Sequence, residues 1–91
     1  MALELRTTTA FERDLRRVNK QGKDLGKLET IVNLLQAQVP LPAQCRPHPL
    51  RGTWVGHWDC HVEPDWILLY KVTDDALILV RTGSHDTLFG L

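Results

Sequence analysis

Apolar residues recur along this chain with two different periods, and the change from one to the other divides it in two. Ala2 to Leu5 alternates well enough to be a short strand leading into Thr7-Thr8-Thr9. Phe11, Leu15 and Val18 then fall at i, i+4 and i+7, so one helical face is apolar while Arg13, Arg16, Arg17 and Lys20 lie elsewhere. Thr9 followed by Glu12 has the form of a capping box, which starts this helix at Thr9 and lets it end near Gly22. Asp24 can cap a second helix with Leu25, Leu28, Ile31, Val32 and Leu35 as its buried stripe and Gly26 as a weak spot early on. The pair reads as a helical hairpin.

Pro40, Pro42, Pro47 and Pro49 lie between Val39 and Gly52. They lack backbone donors and restrict the residues before them, so regular structure is expected to stop and a stiff path to carry His48. After Gly52 the period becomes two. Trp58, Cys60 and Val62 alternate with His57, Asp59 and His61, so His57 and His61 are expected to project together from a polar strand face. Glu63-Pro64-Asp65 is a turn, Trp66 to Val72 is apolar enough for a central strand, Asp74-Asp75 turns again, and Ala76 to Thr82 is a third strand. The expected fold is a single α+β domain over residues 1–91. It has an N-terminal strand, a helical hairpin and a three-stranded antiparallel meander, with the helices on one face.

Composition narrows the function classes. A chain of 91 residues with 43% hydrophobic and 24% charged residues has room for one modest core and none for a second lobe. It holds no run of 18 apolar residues and no charged leader before an apolar stretch, so neither a membrane span nor a targeting segment is expected. Cys45 and Cys60 form no CxxC pair, which suggests a reducing, cytoplasmic setting with Cys60 buried and Cys45 an incidental loop thiol. The formal charge is zero but unevenly spread. Arg6 to Lys27 holds seven basic residues against three acidic, a net of +4, while Asp59 to Asp75 holds five acids against Lys71, a net of −4. A basic first helix could meet phosphate or an acidic protein, or it could be a solvated face.

The chemistry-bearing residues are His48, His61 and His85 with Asp65, groups able to move protons near neutral pH. A metal site built on His57, His61, Asp65 and His85 is the rival reading. On a strand, however, the separation of His57 from His61 spans about 13 Å, too far for one ion. Taken singly, His48 could be a loop surface residue, His61 a polar strand residue and Asp65 a turn residue. Trp66 and Phe89 could be packing, and Arg81 either a phosphate contact at a strand end or a surface arginine.

Their joint spacing carries more. His48-Pro49-Leu50, Gly52-Thr53-Trp54, His61-Val62-Glu63-Pro64-Asp65-Trp66-Ile67-Leu68-Leu69-Tyr70-Lys71, Arg81-Thr82-Gly83-Ser84-His85 and Leu88-Phe89-Gly90 resemble the YafQ branch of the RelE/ParE superfamily. The resemblance runs from about Pro42 to Gly90, and the helical half agrees mainly in pattern. It implies a microbial-RNase-like fold and a toxin of a bacterial type II toxin–antitoxin system that cuts messenger RNA in the ribosomal A site. The family's functional positions fall on His48, His61, Asp65, Trp66, His85 and Phe89. RNA cleavage through the 2′-hydroxyl needs a base, an acid and positive charge for the phosphorane. His61 assisted by Asp65 would then be the base, His85 the acid and His48 the phosphate contact, with Trp66, Arg81 and Phe89 on the substrate side and neither metal nor cofactor. A cognate DinJ- or RelB-like antitoxin, the 70S ribosome with its mRNA, and operator DNA reached through the antitoxin are the implied partners. The alternative within the superfamily is a ParE-like poison that binds DNA gyrase, a type that generally lacks such a histidine set. Ribosome-dependent relatives are typically basic, whereas this chain has a pI near 6.9, so its ribosome binding would lean on the +4 region and on histidine protonation.

Overall fold

Thr8, one residue before the expected start, begins the first helix in the computed structural model, which describes residues 2–90. Its hydroxyl accepts from the Phe11 N–H at 3.0 Å and donates to the Val80 carbonyl at 2.7 Å, so the cap also fastens the helix to the sheet. Glu12 is taken by the Thr7 hydroxyl instead of closing a capping box on Thr9. Helix α1 spans Thr9–Lys20, and Gly22 with φ 80° supplies the left-handed turn that follows. Asp24 caps α2, Leu25–Gln36, accepting from the Gly26 N–H at 2.9 Å.

Five strands form one sheet in the order β1-β5-β4-β3-β2: β1 Glu4–Thr7, β2 His48–Pro49, β3 Trp58–Glu63, β4 Trp66–Val72 and β5 Ala76–Gly83. β3, β4 and β5 make the expected antiparallel meander. β1 joins it parallel to β5. The proline-rich connection is more structured than its prolines suggest, because it contains a 3₁₀ turn over Ala43–Cys45 and the two-residue β2, which places His48 opposite Asp59.

β4 carries the core. Trp66, Leu68 and Tyr70 face Phe11 and Val18 of α1 and Leu28, Ile31 and Val32 of α2, together with Cys60, Leu77 and Leu79. Ile67 and Leu69 are fully buried as well, so β4 is covered on both sides, which explains its near-continuous apolar run. Cys45 belongs to this core rather than to an exposed loop. Burial pushes its thiol pKa up and raises that of Cys60 to about 12, so neither is a nucleophile at neutral pH. A short third helix, α3 over His85–Phe89, was not legible in the period of the sequence, since five residues cannot show one. Ser84 caps it, accepting from the Thr87 N–H at 3.2 Å. No helix among the described residues is long and apolar enough to cross a membrane.

One polar side chain lies on the apolar face of α1. Asp14, three residues after Phe11 and four before Val18, is only 2% exposed. Its carboxylate accepts from Arg81 Nε at 2.5 Å and Nη2 at 3.1 Å, from the Thr82 N–H at 3.2 Å, and from Arg17. Thr82 in turn accepts from Trp66 Nε1 at 2.9 Å and donates to the Ile67 carbonyl at 2.8 Å. α1, β4 and β5 are thus tied by one fully bonded network. Burial raises the Asp14 pKa, but the Arg81 and Thr82 hydrogen bonds and the charges of Arg81 and Arg17 together outweigh it, leaving the carboxyl below its ordinary value of 3.8.

A carboxylate with a depressed folded pKa contributes stability that is complete above its unfolded pKa and is lost as the pH falls through the folded one. Asp14→Ala strands the partly buried Arg81 guanidinium and the buried Thr82 N–H, and it should cost about 2–4 kcal/mol at pH 7 in urea unfolding. For Asp14→Asn, the deficit against the native protein should shrink as the pH is lowered below 3.8.

Candidate active site

β3 sets the site. Asp59 and His61 alternate on one of its faces, and the register with β2 brings His48 across from Asp59. Nδ1 of His48 lies 3.0 Å from Asp59 Oδ1 and 3.1 Å from the Arg46 carbonyl oxygen. A β-bulge between His61 and Glu63 shifts the register just before the turn. His61 Nδ1 lies 3.2 Å from the Pro64 carbonyl oxygen, which fixes the ring through its own turn. His85 enters from the first turn of α3, with its ring centroid 5.9 Å from that of His61 and 5.6 Å from that of Phe89. Its N–H donates to Asp65 Oδ1 at 3.4 Å, and its Nδ1 is 4.0 Å from the same oxygen.

The centre of this group is a residue outside the expected set. Asp59 is 2% exposed, and its Oδ1 has no aligned hydrogen-bond donor among the described residues. The short approach of His48 is therefore an ion pair when the imidazole is protonated, and not a hydrogen bond. Burial pushes the Asp59 pKa up, while the charges of His48, His61 and His85 pull it down, so all three histidines act on one buried carboxyl. The signal was present in the alternation, since Asp59 is two residues before His61 on the same strand face.

His48, His61, His85, Asp65 and Phe89 are thus brought together. Asp65 lies against His85 and not, as expected, against His61, whose ring nitrogen faces the Pro64 carbonyl. Trp66 is fully buried with its indole N–H on Thr82, which leaves it no surface for RNA, and the Arg81 side chain is turned onto Asp14. His57 precedes β3 and sits edge-on to Trp54, with centroids 5.5 Å apart, so it does not project beside His61. Among the described residues no cluster of three or more His, Cys, Asp or Glu has the arrangement of a metal site.

One cavity adjoins the cluster, and other depressions lie elsewhere on the surface. A cavity of about 250 Å³ opens on His61, lined by Gln44, Arg46, Val62, Glu63 and Pro64. Arg13, Arg16, Arg17 and Lys20 line a shallow depression on α1. An apolar cavity of about 360 Å³ between Leu3, Leu35, Val39, Trp58 and Val72 offers no acid or base beyond the Tyr70 hydroxyl, whose pKa burial raises, and so has no part in proton transfer.

Known proteins share this chain's sequence pattern and fold. The model of a family described as a bacterial toxin of type II toxin–antitoxin system, YafQ, matches residues 3–90. The mRNA interferase toxin YafQ of Escherichia coli K12 is 48% identical over 81 residues, covering 88% of each chain. The crystal structure of YafQ from E. coli BL21(DE3) superposes with a TM-score of 0.92 at 43% identity, covering 97% of this chain and 99% of that one. The E. coli DinJ–YafQ toxin–antitoxin complex contains a chain matched with a TM-score of 0.91 at 43% identity, covering 99% and 100%.

A carboxyl whose folded pKa is raised makes the folded state lose stability as the pH climbs from its unfolded pKa to its folded one. Asp59→Asn removes that loss. Its stability relative to the native protein should improve as the pH rises above 3.8, as followed by urea unfolding at several pH values.

Proposed function

This chain belongs to the YafQ family of bacterial type II toxin–antitoxin toxins, and we propose that it is an endoribonuclease that cuts messenger RNA in the ribosomal A site by histidine acid/base chemistry. The relative named an mRNA interferase supports the reaction class, and the DinJ–YafQ complex supports a cognate antitoxin as partner. The observation that favours the mechanism is the convergence of His48, His61 and His85 on buried Asp59.

In the tautomer that donates from Nδ1 to the Pro64 carbonyl, His61 keeps Nε2 as a proton acceptor, which suits the base for the 2′-hydroxyl. The freed oxygen attacks the adjacent phosphorus, the bond to the 5′-oxygen breaks, and that oxygen takes a proton from His85. The products are a 2′,3′-cyclic phosphate and a 5′-hydroxyl. Asp65 beside His85 pairs with its charged form and holds α3 through the His85 N–H. His48, held against Asp59, supplies positive charge to the phosphorane when protonated. Phe89, half-buried beside His85, can stack on a base of the codon. The exposed cations Arg13, Arg16 and Lys20 give α1 a surface for ribosomal RNA or an acidic antitoxin segment.

His85→Ala should slow cleavage of message on programmed ribosomes by about 10²–10⁴-fold, and full activity in that variant would remove the proposed acid. Protein treated with EDTA and then freed of the chelator should keep its activity on ribosomes supplied with magnesium alone. Ribosome affinity should fall with salt at a log–log slope of about −2 to −3 if the three exposed cations of α1 meet phosphates, measured by sedimentation at several salt concentrations. Growth arrest on expression, relieved by co-expressing the antitoxin, checks the role in the cell.

A further inference from the structure

Arg46 has no role in the reading above, yet three observations single it out. The first is backbone. With φ 47° and ψ 53° it closes the Ala43–Cys45 turn in the left-handed region, its N–H donating to the Ala43 carbonyl at 3.2 Å. That conformation suits glycine and is unfavourable for a residue with a Cβ, and such positions cluster where function retains the side chain. The second is location. Its carbonyl lies against His48, and Arg46 is an exposed residue lining the cavity that opens on His61. The third is charge. No ion pair or side-chain hydrogen bond engages its guanidinium among the described residues, whereas Arg17 and Arg81 are bound to Asp14 and Lys23 and Lys27 to Glu63.

Glu63 lines the same cavity and by itself would repel an anion. Lys27 Nζ lies 2.8 Å from one of its carboxylate oxygens and Lys23 Nζ 3.8 Å from the other. Two cations offset that charge from the α2 side, which leaves Arg46 as the uncompensated charge at the cavity.

We propose that this cavity is a subsite for the nucleotide on the 5′ side of the cut, with Arg46 binding the phosphodiester on that nucleotide's 5′ side. The inference rests on the assignment of His61 as base. The 2′-hydroxyl that His61 deprotonates belongs to the upstream nucleotide, so that nucleotide lies on the His61 side of the cluster, while Phe89 and His85 lie on the side of the leaving group. A planar guanidinium offers paired donors to the non-bridging oxygens of a phosphodiester, which one histidine cannot do. Arg46 therefore binds substrate at a phosphate that does not react.

Arg46→Gly deletes the guanidinium while relaxing the backbone, so the variant folds and its turn is kept. Arg46→Lys keeps charge without the fork. The test measures single-turnover cleavage on ribosomes programmed with two messages, one natural and one carrying an uncharged methylphosphonate at the linkage 5′ of the upstream nucleotide. Native protein should cut the modified message about tenfold more slowly or worse, the loss expected for one charge-assisted hydrogen-bonded contact. Arg46→Gly should show a similar loss on the natural message and no further loss on the modified one, with Arg46→Lys in between. Equal sensitivity of native and Arg46→Gly proteins to the methylphosphonate, or undiminished cleavage of the natural message by Arg46→Gly, overturns the subsite. If the native protein cuts neither message, the nuclease reading itself fails.

Discussion

The buried carboxylate of Asp14 is the constraint on which the working end of this molecule depends. It draws together three parts of the chain that share no covalent proximity: the middle of α1, the end of β5, and, through Thr82, the start of β4. A charge removed from water is tolerable only when each of its lone pairs finds a donor, and here Arg81, Arg17 and a backbone N–H provide them. Just beyond Thr82 the chain passes through Gly83 into the cap of α3. The position of His85 and Phe89 is thus inherited from a bond made on the helix side of the sheet. Trp66 contributes from inside the same network as a buried hydrogen-bond donor to Thr82.

The histidines depend on a second buried acid in a different way. Asp14 is satisfied, whereas Asp59 is left with an oxygen that no described donor addresses. Its electrostatic neighbours are His48, His61 and His85, each on a different element, β2, β3 and α3. A half-satisfied acid of this kind is costly to fold around, and such sites are where catalytic groups are found to gather. The two acids illustrate a division of labour, one spent on rigidity and one held in reserve within the cleft.

Much of this was readable from residue order. The helical hairpin, the cap at Asp24, the three-stranded meander and the doubly buried β4 all follow from periodicity and turn chemistry, because each is decided by near neighbours in sequence. The parallel placement of β1 against β5 was not, since it pairs residues some 70 positions apart, such as Glu4 with Ala76, and depends on where the hairpin returns the chain. α3 escaped because its signal is one capping serine and a terminal glycine. Within the site, the spacing of His48, His61, Asp65, His85 and Phe89 pointed to residues that do meet. Alternation marks the Asp59 face as polar without showing that it is buried, and the partners of Arg81 and Trp66, Asp14 and Thr82, lie too far along the chain for local pattern to join them.

The two-residue β2 has a consequence for solubility. It closes the sheet beside the histidine cluster with a strand too short to template another, and its second residue, Pro49, has no N–H to offer to an incoming chain. A longer and donor-rich edge at that rim would invite a neighbouring polypeptide to add itself to the sheet and cover His48. Proline at this border keeps the cleft closed to β-aggregation and open to a polymer that has no peptide groups to pair.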